Sequence, residues 1–326
     1  MSLLKFAARR SAEIVITLFV IATLVFVLFR MMPGDPSLAV ISPYATPELR
    51  EILRQRYGVD GPLWDQYVIF IKGLLRGDFG VSFYWEGDVF DILKERLLPT
   101  ALLFTLGTLT AYSLGVTLGR IIAWKRGGKL EYGSTVAGLF FYTMPIFWLG
   151  LLAIWIFSYR LDLFPIGGMK TPEIWGAVQG ASLITRVIDV AYHLFLPLTV
   201  LTIWMFAGSM LLMKNSMLET LKEDYITTAR AKGLLEKKIR DRHAARNALL
   251  PVVTALSLAM AFSFNGGVLT ETTFSWPGLG RTLVQASLNY DYPLAQGAFI
   301  MLAGVVLVAV FMADILYAYL DPRITY

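Results

Sequence analysis

Six long stretches of the chain contain no Asp, Glu, Lys or Arg, and apolar residues dominate each of them. The stretches are 14–29, 97–119, 132–159, 190–213, 247–270 and 292–313, with lengths of 16, 23, 28, 24, 24 and 22 residues. A helix needs about 20 apolar residues to cross a hydrocarbon core of roughly 30 Å. The first stretch reaches that length if its helix continues to Met32 and the Arg30 side chain extends its charge towards the interface. The pattern therefore predicts an all-α membrane protein with six transmembrane helices.

Composition narrows the class of protein. Hydrophobic residues make up 56% of the 326 residues and charged residues 16%, whereas about a quarter of a soluble domain is charged. This excludes a single water-soluble globule. The chain has no cysteine, so it offers no disulfide framework, no thiolate metal site and no thiol nucleophile. The two histidines, His193 and His243, are fifty residues apart, so we expect a satisfied polar role for each rather than a shared metal site.

Lys and Arg are concentrated in alternate segments between the stretches. Residues 1–10 and 125–131 each carry three basic residues, and 214–246 carries nine basic against five acidic residues. The segment 33–98, by contrast, has seven basic and ten acidic residues. Because basic segments remain on the cytoplasmic side, both termini are expected in the cytoplasm of a cell-membrane protein. The net charge of +5 then reflects membrane topology rather than a nucleic-acid-binding patch.

The chain divides into three predicted parts. They are an N-terminal stub with the first span (1–32), an extracytoplasmic subdomain (33–98), and a five-helix core with a cytoplasmic loop at 214–248 (99–326). Within the subdomain, residues 47–57 and 63–75 have the pattern of short helices, separated by Gly58 and by Gly61-Pro62. Thr46 and Pro47 suit the cap and the first turn of the first of them.

The cytoplasmic loop contains a short helical segment with clear stop signals. Asp224 is a good N-cap and Gly233 a good helix stop, and they bracket eight residues, 225–232. A helix this short does not persist alone in water, so it needs a partner surface. The features that suit docking are the small Ala229 and Ala231, the anchor Tyr225 on the Ala229 face, and the flanking charges of Arg230 and Lys232. The loop is predicted to present a docking helix.

The segment 224–233 (DYITTARAKG), followed by 242–251 (RHAARNALLP), resembles the cytoplasmic coupling loop of ABC importer permeases in the dipeptide, oligopeptide and nickel branch. Further matches are 32–36 (MPGDP), 75–80 (LRGDFG), 143–148 (TMPIFW), 274–280 (FSWPGLG), 291–293 (DYP) and 321–323 (DPR). The long outer segment resembles that of the B-type subunit of this branch. Many permeases have Glu-Ala-Ala where this chain has 227–229 (TTA), a departure that is usual in the peptide branch.

The resemblance implies a type I ABC importer permease fold and a set of partners. These are a sister permease in a heterodimer, two ABC ATPase subunits and an extracytoplasmic solute-binding protein. It also implies that the ATPases are contacted through Asp224, Tyr225, Ala229, Arg230, Ala231, Lys232 and Gly233. Short peptides are the first expectation for the cargo, and oligosaccharides or nickel chelates are the alternatives.

Three residues are candidates for the translocation pathway or its gate. Asn265 lies within the fifth predicted helix, where an amide is a pathway candidate by default. Glu271 follows at the outer end of that helix and is expected to meet water. Trp276 precedes Pro277-Gly278, which suggests a fixed outer turn. Asp314 is expected to cap its helix or to bond to a neighbouring helix. The glycines expected to form close helix contacts are those at 107, 115, 119, 138, 150 and 304.

Two other classes of function are less well supported. An intramembrane enzyme would need convergent catalytic groups, and no Ser-His or carboxylate cluster occurs at helical spacing within a span. A passive channel would not need a docking loop. The sequence also lacks a Gly-x-x-x-x-Gly-Lys-Ser/Thr phosphate loop, so we assign ATP hydrolysis to the partner subunits. No bound cofactor is expected.

Overall fold

A computed structural model describes residues 3–31, 46–48, 51–52, 55, 61–82, 84–176, 181–262 and 267–320. The chain forms two compact units, one of Met1–Leu102 with Phe264–Tyr326 and one of Leu103–Ser263. Helices make up nearly all of the regular structure in the described residues, which confirms the all-α prediction.

The described elements follow one another in this order. They are α1 (Leu3–Arg30), α2 (Leu63–Leu75), β1 (Val81–Ser82), β2 (Gly87–Asp88), α3 (Val89–Trp124), α4 (Lys129–Thr143), α5 (Ile146–Ala153, continued by a π-helical segment Ile154–Arg160), α6 (Pro172–Trp175), α7 (Leu183–Thr220), α8 (Asp224–Ala231), α9 (Glu236–Lys238, continued by a π-helical segment Ile239–Ala244), α10 (Ala245–Phe262), α11 (Gly267–Thr273), α12 (Leu279–Leu288) and α13 (Tyr292–Leu320). The two strands pair antiparallel, with Val81 opposite Asp88.

Four of the described helices are long and apolar enough to cross a membrane: α1, α3, α7 and α13. The third apolar stretch forms a bent pair of helices, α4 and α5, whose axes differ by 102°. The fifth stretch corresponds to α10 and α11, with 263–266 between them outside the described residues. The chain is therefore an all-α membrane protein, and the count of six spans stays a prediction.

The third stretch was expected to form one continuous helix, and Pro145 breaks it. Met144, the residue before this proline, has an extended backbone (φ −74°, ψ 141°) because the proline ring disfavours helical geometry there. Proline also lacks the N–H that would continue the hydrogen-bond ladder, so a new helix begins at Ile146. Apolarity along the stretch did not reveal this break.

In the first unit, α1 runs against α13 and the core lies between α1, α3, α12 and α13. Buried residues of this core include Phe29, Val89, Leu279 and Leu294. Arg10 on α1 lies 3.4 Å from the carboxylate of Asp314 on α13, measured between Nε and Oδ2. Of the two roles expected for Asp314, the bond to a neighbouring helix is therefore the one that the structure shows.

In the second unit, glycines allow α3 to approach α7 closely. A Cβ on Gly115 would lie 2.7 Å from the carbonyl oxygen of Phe206, and one on Gly119 would lie 2.8 Å from Cβ of Met213. Such distances leave no room for a larger side chain, so the predicted close contact is confirmed at both. Gly304 differs, because a Cβ there would meet nothing within 4 Å.

The outer segment is described in part. The predicted helix 63–75 is confirmed as α2. Of the predicted helix 47–57, only residues 47, 48, 51, 52 and 55 are described, and these are helical. Helix α3 begins at Val89 and continues without interruption past residue 98, the predicted end of the subdomain. The segments 32–36 and 321–323, which carry part of the family resemblance, lie outside the described residues.

Candidate functional site

The predicted docking helix is present as α8, Asp224–Ala231, one residue earlier than expected. Glu223, not Asp224, occupies the N-cap position, and no side chain caps the helix there. Asp224 lies in the first turn, where its negative charge favours the helix N-terminus. Gly233 ends the helix as predicted, with φ of +69° and its N–H donating to the Arg230 carbonyl over 2.9 Å.

One face of α8 packs inward, against the chain's own core. Ile226 is 0% exposed and Ala229 is 5% exposed. They belong to a cluster of buried residues that we call the coupling core: Ala123, Met213, Met217, Ile226, Ala229, Ile239, Ala244, Ala245, Ala248 and Val252. The expectation that Ala229 faces the partner was wrong, because this small side chain seats the helix on its own unit.

The opposite face of α8 is exposed. Asp224, Thr227, Thr228 and Ala231 lie on this side, away from Ile226. Ala231 is therefore placed for the close approach to a partner protein that was predicted for both alanines, whereas Ala229 is not. These exposed residues form the surface that is free to contact another protein.

Charged and aromatic side chains border the exposed face. Tyr225 is 38% exposed, and its hydroxyl accepts a hydrogen bond from Asn247 Nδ2 over 2.7 Å. It therefore links α8 to α10 instead of anchoring the Ala229 face. Arg230 lies 3.4 Å from Glu236, measured between Nε and Oε1, and above the ring of Trp124. Lys232 is exposed at the C-cap.

The coupling core joins α8 to the ends of three long helices. Its buried residues come from α3, α7 and α10, as well as from the π-helical segment between α9 and α10. The hydroxyl of Ser216 on α7 donates to the carbonyl of Ala248 on α10 over 2.8 Å, which fixes two of these helices together. Helix α8 is therefore in direct packing contact with the ends of those helices.

A compact group of charges lies beside the coupling core. Arg240 donates two hydrogen bonds to Asp241, from Nε over 2.7 Å and from Nη2 over 3.0 Å. This bidentate contact with Arg240 holds the pKa of Asp241 below its usual range, and Arg120 adds to the effect from 3.7 Å. Asp241 is therefore ionised at neutral pH and helps to hold the segment after α9.

Glu271, a candidate gate residue, is buried instead of meeting water. It is 0% exposed, and its carboxylate accepts hydrogen bonds from Thr100 Oγ1 over 2.7 Å and from the N–H of Arg281 over 3.0 Å. A side chain at Gly278 would collide with this carboxylate. Glu271 was misjudged because its partner Thr100 lies 171 residues earlier in the chain, beyond the reach of any local pattern.

Trp276 lies in a fixed turn, as the sequence predicts. Its indole is 0% exposed and donates to the carbonyl of Pro99 over 2.9 Å, while its N–H donates to the carbonyl of Glu271 over 2.8 Å. Ser275 has a left-handed backbone with φ of 51°. Trp276 and Glu271 therefore form one rigid cluster of the first unit. Asn265, the third candidate, lies outside the described residues.

Sequence reasoning missed a buried carboxylate on α7. Asp189 accepts hydrogen bonds from the N–H and the hydroxyl of Thr171, over 2.9 and 2.6 Å, and from the indole of Trp175 over 2.8 Å. It thereby fixes the segment around α6 to α7. His193 has the satisfied polar role expected of it, with Nδ1 2.9 Å from the carbonyl oxygen of Asp189. Among the described residues, no group of three or more His, Asp or Glu side chains could hold a metal ion.

Comparison with known proteins identifies the family to which this chain belongs. Residues 115–326 match the family model described as binding-protein-dependent transport system inner membrane component, and residues 3–105 match the model of the corresponding N-terminal region. The chain is similar to the dipeptide transport system permease protein DppB of Escherichia coli, with 35% identity over 99% of both chains. It is also similar to the oligopeptide transport system permease protein AppB of Bacillus subtilis (35%, 98% of both) and to the di/tripeptide permease protein DppB of Pseudomonas aeruginosa (36%, 99% of both). The chain therefore belongs to the family of inner-membrane components of binding-protein-dependent transport systems.

Proposed function

We propose that this chain forms one half of a heterodimeric membrane pore that imports short peptides and is driven by two partner ATPases. The observation that carries the proposal is the seating of α8, which is packed on three long helices on one face and exposed on the other. The chain is a permease subunit, and ATP hydrolysis belongs to its ATPase partners.

The coupling step follows from this geometry. The exposed face, around Thr228 and Ala231, docks on an ATPase subunit. When ATP binding moves the ATPase, α8 moves with it, and Ile226 and Ala229 carry the displacement into the coupling core. The ends of α3, α7 and α10 then shift, which favours either the inward-open or the outward-open arrangement of the pore.

Peptides are the cargo that the relatives support. The relatives described above are named as permeases for dipeptides, di/tripeptides or oligopeptides, and the chain matches nearly their full length. An extracytoplasmic binding protein delivers the peptide, and this binding protein docks on the outer segment 33–98. The sister permease supplies the other half of the pathway.

The proposed orientation places both termini in the cytoplasm. Tags inserted after Gly128 or within 233–240 are expected to be cytoplasmic, and tags near Glu86 or Gly168 external, because of the charge alternation along the sequence. Protease cleavage within 233–240 from outside intact cells contradicts this orientation.

Reconstitution tests the function as a whole. The chain is placed in liposomes with and without its sister permease, the ATPases and the binding protein, and uptake of labelled peptide is measured. Uptake is expected only with all components present, because this chain supplies neither a phosphate loop nor a complete pore. ATP-driven uptake without a sister permease refutes the heterodimer. Uptake of oligosaccharides or nickel chelates, with no uptake of peptides, refutes the cargo assignment.

A further inference from the structure

An open cavity of about 450 Å³ lies beside the coupling core in the second unit. Its walls come from α3, α7, the π-helical segment before α10, and α10 itself. It lies near the last two turns of α3 and the first two turns of α10, where these helices leave the apolar stretches of the sequence. The cavity therefore opens at the level where a membrane meets water.

Three of the side chains that line the cavity are arginines: Arg120, Arg242 and Arg246. The single acidic residue in the lining is Asp241, and Arg240 already holds it with two hydrogen bonds. The lining arginines therefore exceed the available negative charge. An anion is the ligand that balances this excess.

Arg120 gives an independent sign of a missing partner. Its Nε is buried and has no hydrogen-bond partner among the described residues. Its Nη1 is 3.7 Å from Asp241 Oδ1, which is too long for a hydrogen bond. Because a buried N–H of a charged group is costly to leave without an acceptor, an acceptor in the cavity stabilises this side chain.

The remaining wall is apolar. Val116, Met213 and Leu249 line the cavity beside the arginines. Free phosphate has no apolar part to cover these side chains, whereas a phospholipid has both an anionic headgroup and an acyl chain. Burying the chain against such a wall adds to binding in proportion to the area removed from water.

We propose that this cavity binds the headgroup and upper acyl chain of an anionic phospholipid from the cytoplasmic leaflet, with Arg120, Arg242 and Arg246 around its phosphate. Basic pockets between helices on the cytoplasmic side are suited to anionic headgroups. The bound lipid holds α3, α7 and α10 together beside the coupling core and so supports coupling. The leaflet assignment rests on the proposed orientation, whereas lipid binding itself does not.

The test measures lipid retention by the assembled transporter. The complex is purified from mixed micelles of equal phosphatidylglycerol and phosphatidylcholine, and retained lipids are counted by native mass spectrometry. Each of Arg120→Gln, Arg242→Gln and Arg246→Gln is expected to lower phosphatidylglycerol affinity about fivefold, because a basic side chain near an anionic membrane surface contributes about 1 kcal/mol. Arg242→Lys keeps most of the retention. Lys129→Gln, which removes a basic residue outside the cavity, leaves it unchanged.

Three results overturn the proposal. Equal phosphatidylglycerol retention by wild type and by the triple Gln variant removes the lipid site. Displacement of the lipid by millimolar inorganic phosphate in the wild type shows a simple phosphate site. Loss of the ATPase subunits from the Gln variants with unchanged lipid retention shows that the arginines belong to the ATPase contact. None of these measurements depends on transport, so the lipid site and the proposed peptide cargo are tested independently of each other.

Discussion

Replacing Ile226 with alanine is expected to separate docking from coupling. Ile226 is fully buried on the inward face of α8, so the substitution leaves the exposed face of the helix chemically unchanged. The partner ATPases are therefore expected to remain bound. Transmission of their movement through the coupling core is expected to fail, because the contact that seats the helix is weakened.

The magnitude follows from the burial. Truncating a fully buried Ile to Ala typically costs about 2–5 kcal/mol, since the cavity left behind collapses only in part. At about 3 kcal/mol, the balance between the seated and the unseated helix shifts by roughly 100-fold, because each 1.4 kcal/mol is a factor of ten. A helix of eight residues has little stability of its own to offset this loss. Ile226→Val removes one methylene and is expected to cost about 1 kcal/mol.

The assay compares two quantities in the reconstituted complex: retention of the ATPase subunits and stimulation of ATP hydrolysis by cargo. Ile226→Ala is expected to retain the subunits and lose most of the stimulation, with Ile226→Val intermediate. Ala231→Glu, on the exposed face, is the matched control and is expected to lose the subunits themselves. Full stimulation in Ile226→Ala would refute the idea that the coupling core carries the movement.

Three further experiments test other parts of the structure. Gly233→Ala is expected to destabilise the end of α8 by about 1–2 kcal/mol, since alanine must adopt φ of +69° in otherwise open space, and a thermal melt that matches wild type contradicts this. Gly119→Leu is expected to separate α3 from α7 and to lower the yield of folded protein in detergent, whereas Gly304→Leu, in open space, leaves the yield unchanged. The lowered pKa of Asp241 adds stability that is complete above its unfolded value of about 3.9 and is lost as pH falls through the folded value. In thermal melts between pH 7 and 3, the melting temperature of Asp241→Asn is therefore expected to fall less on acidification than that of the wild type.

The sequence predicted elements whose signals are local. Helix α2 was predicted with its observed bounds because Gly61-Pro62 stands directly before a segment with the pattern of a short helix. Gly233 was recognised as a helix stop because a left-handed residue after a helix is usually glycine. In both cases the information lies within a few residues of the feature.

The errors concern contacts between distant parts of the chain. The spacing within α8 placed Ala229 on the same face as Tyr225, but it did not show that this alanine packs in a buried cluster with Met213 and Ile239. Glu271 looked like a water-exposed charge because its partner Thr100 precedes it by 171 residues. Burial of a short segment is decided by tertiary packing, which periodicity alone does not report.

The break at Pro145 has a consequence for which substitutions can occur together. Backbone groups freed by a broken helix are costly in hydrocarbon unless a neighbour satisfies them. The indole of Trp204 on α7 donates to the Met144 carbonyl over 3.1 Å and stacks on Tyr142. A homologue that lost the tryptophan would retain an unsatisfied carbonyl, and one that lost the proline would no longer need the indole. Positions 145 and 204, one at the break between α4 and α5 and the other on α7, are therefore expected to change as a pair over evolutionary time.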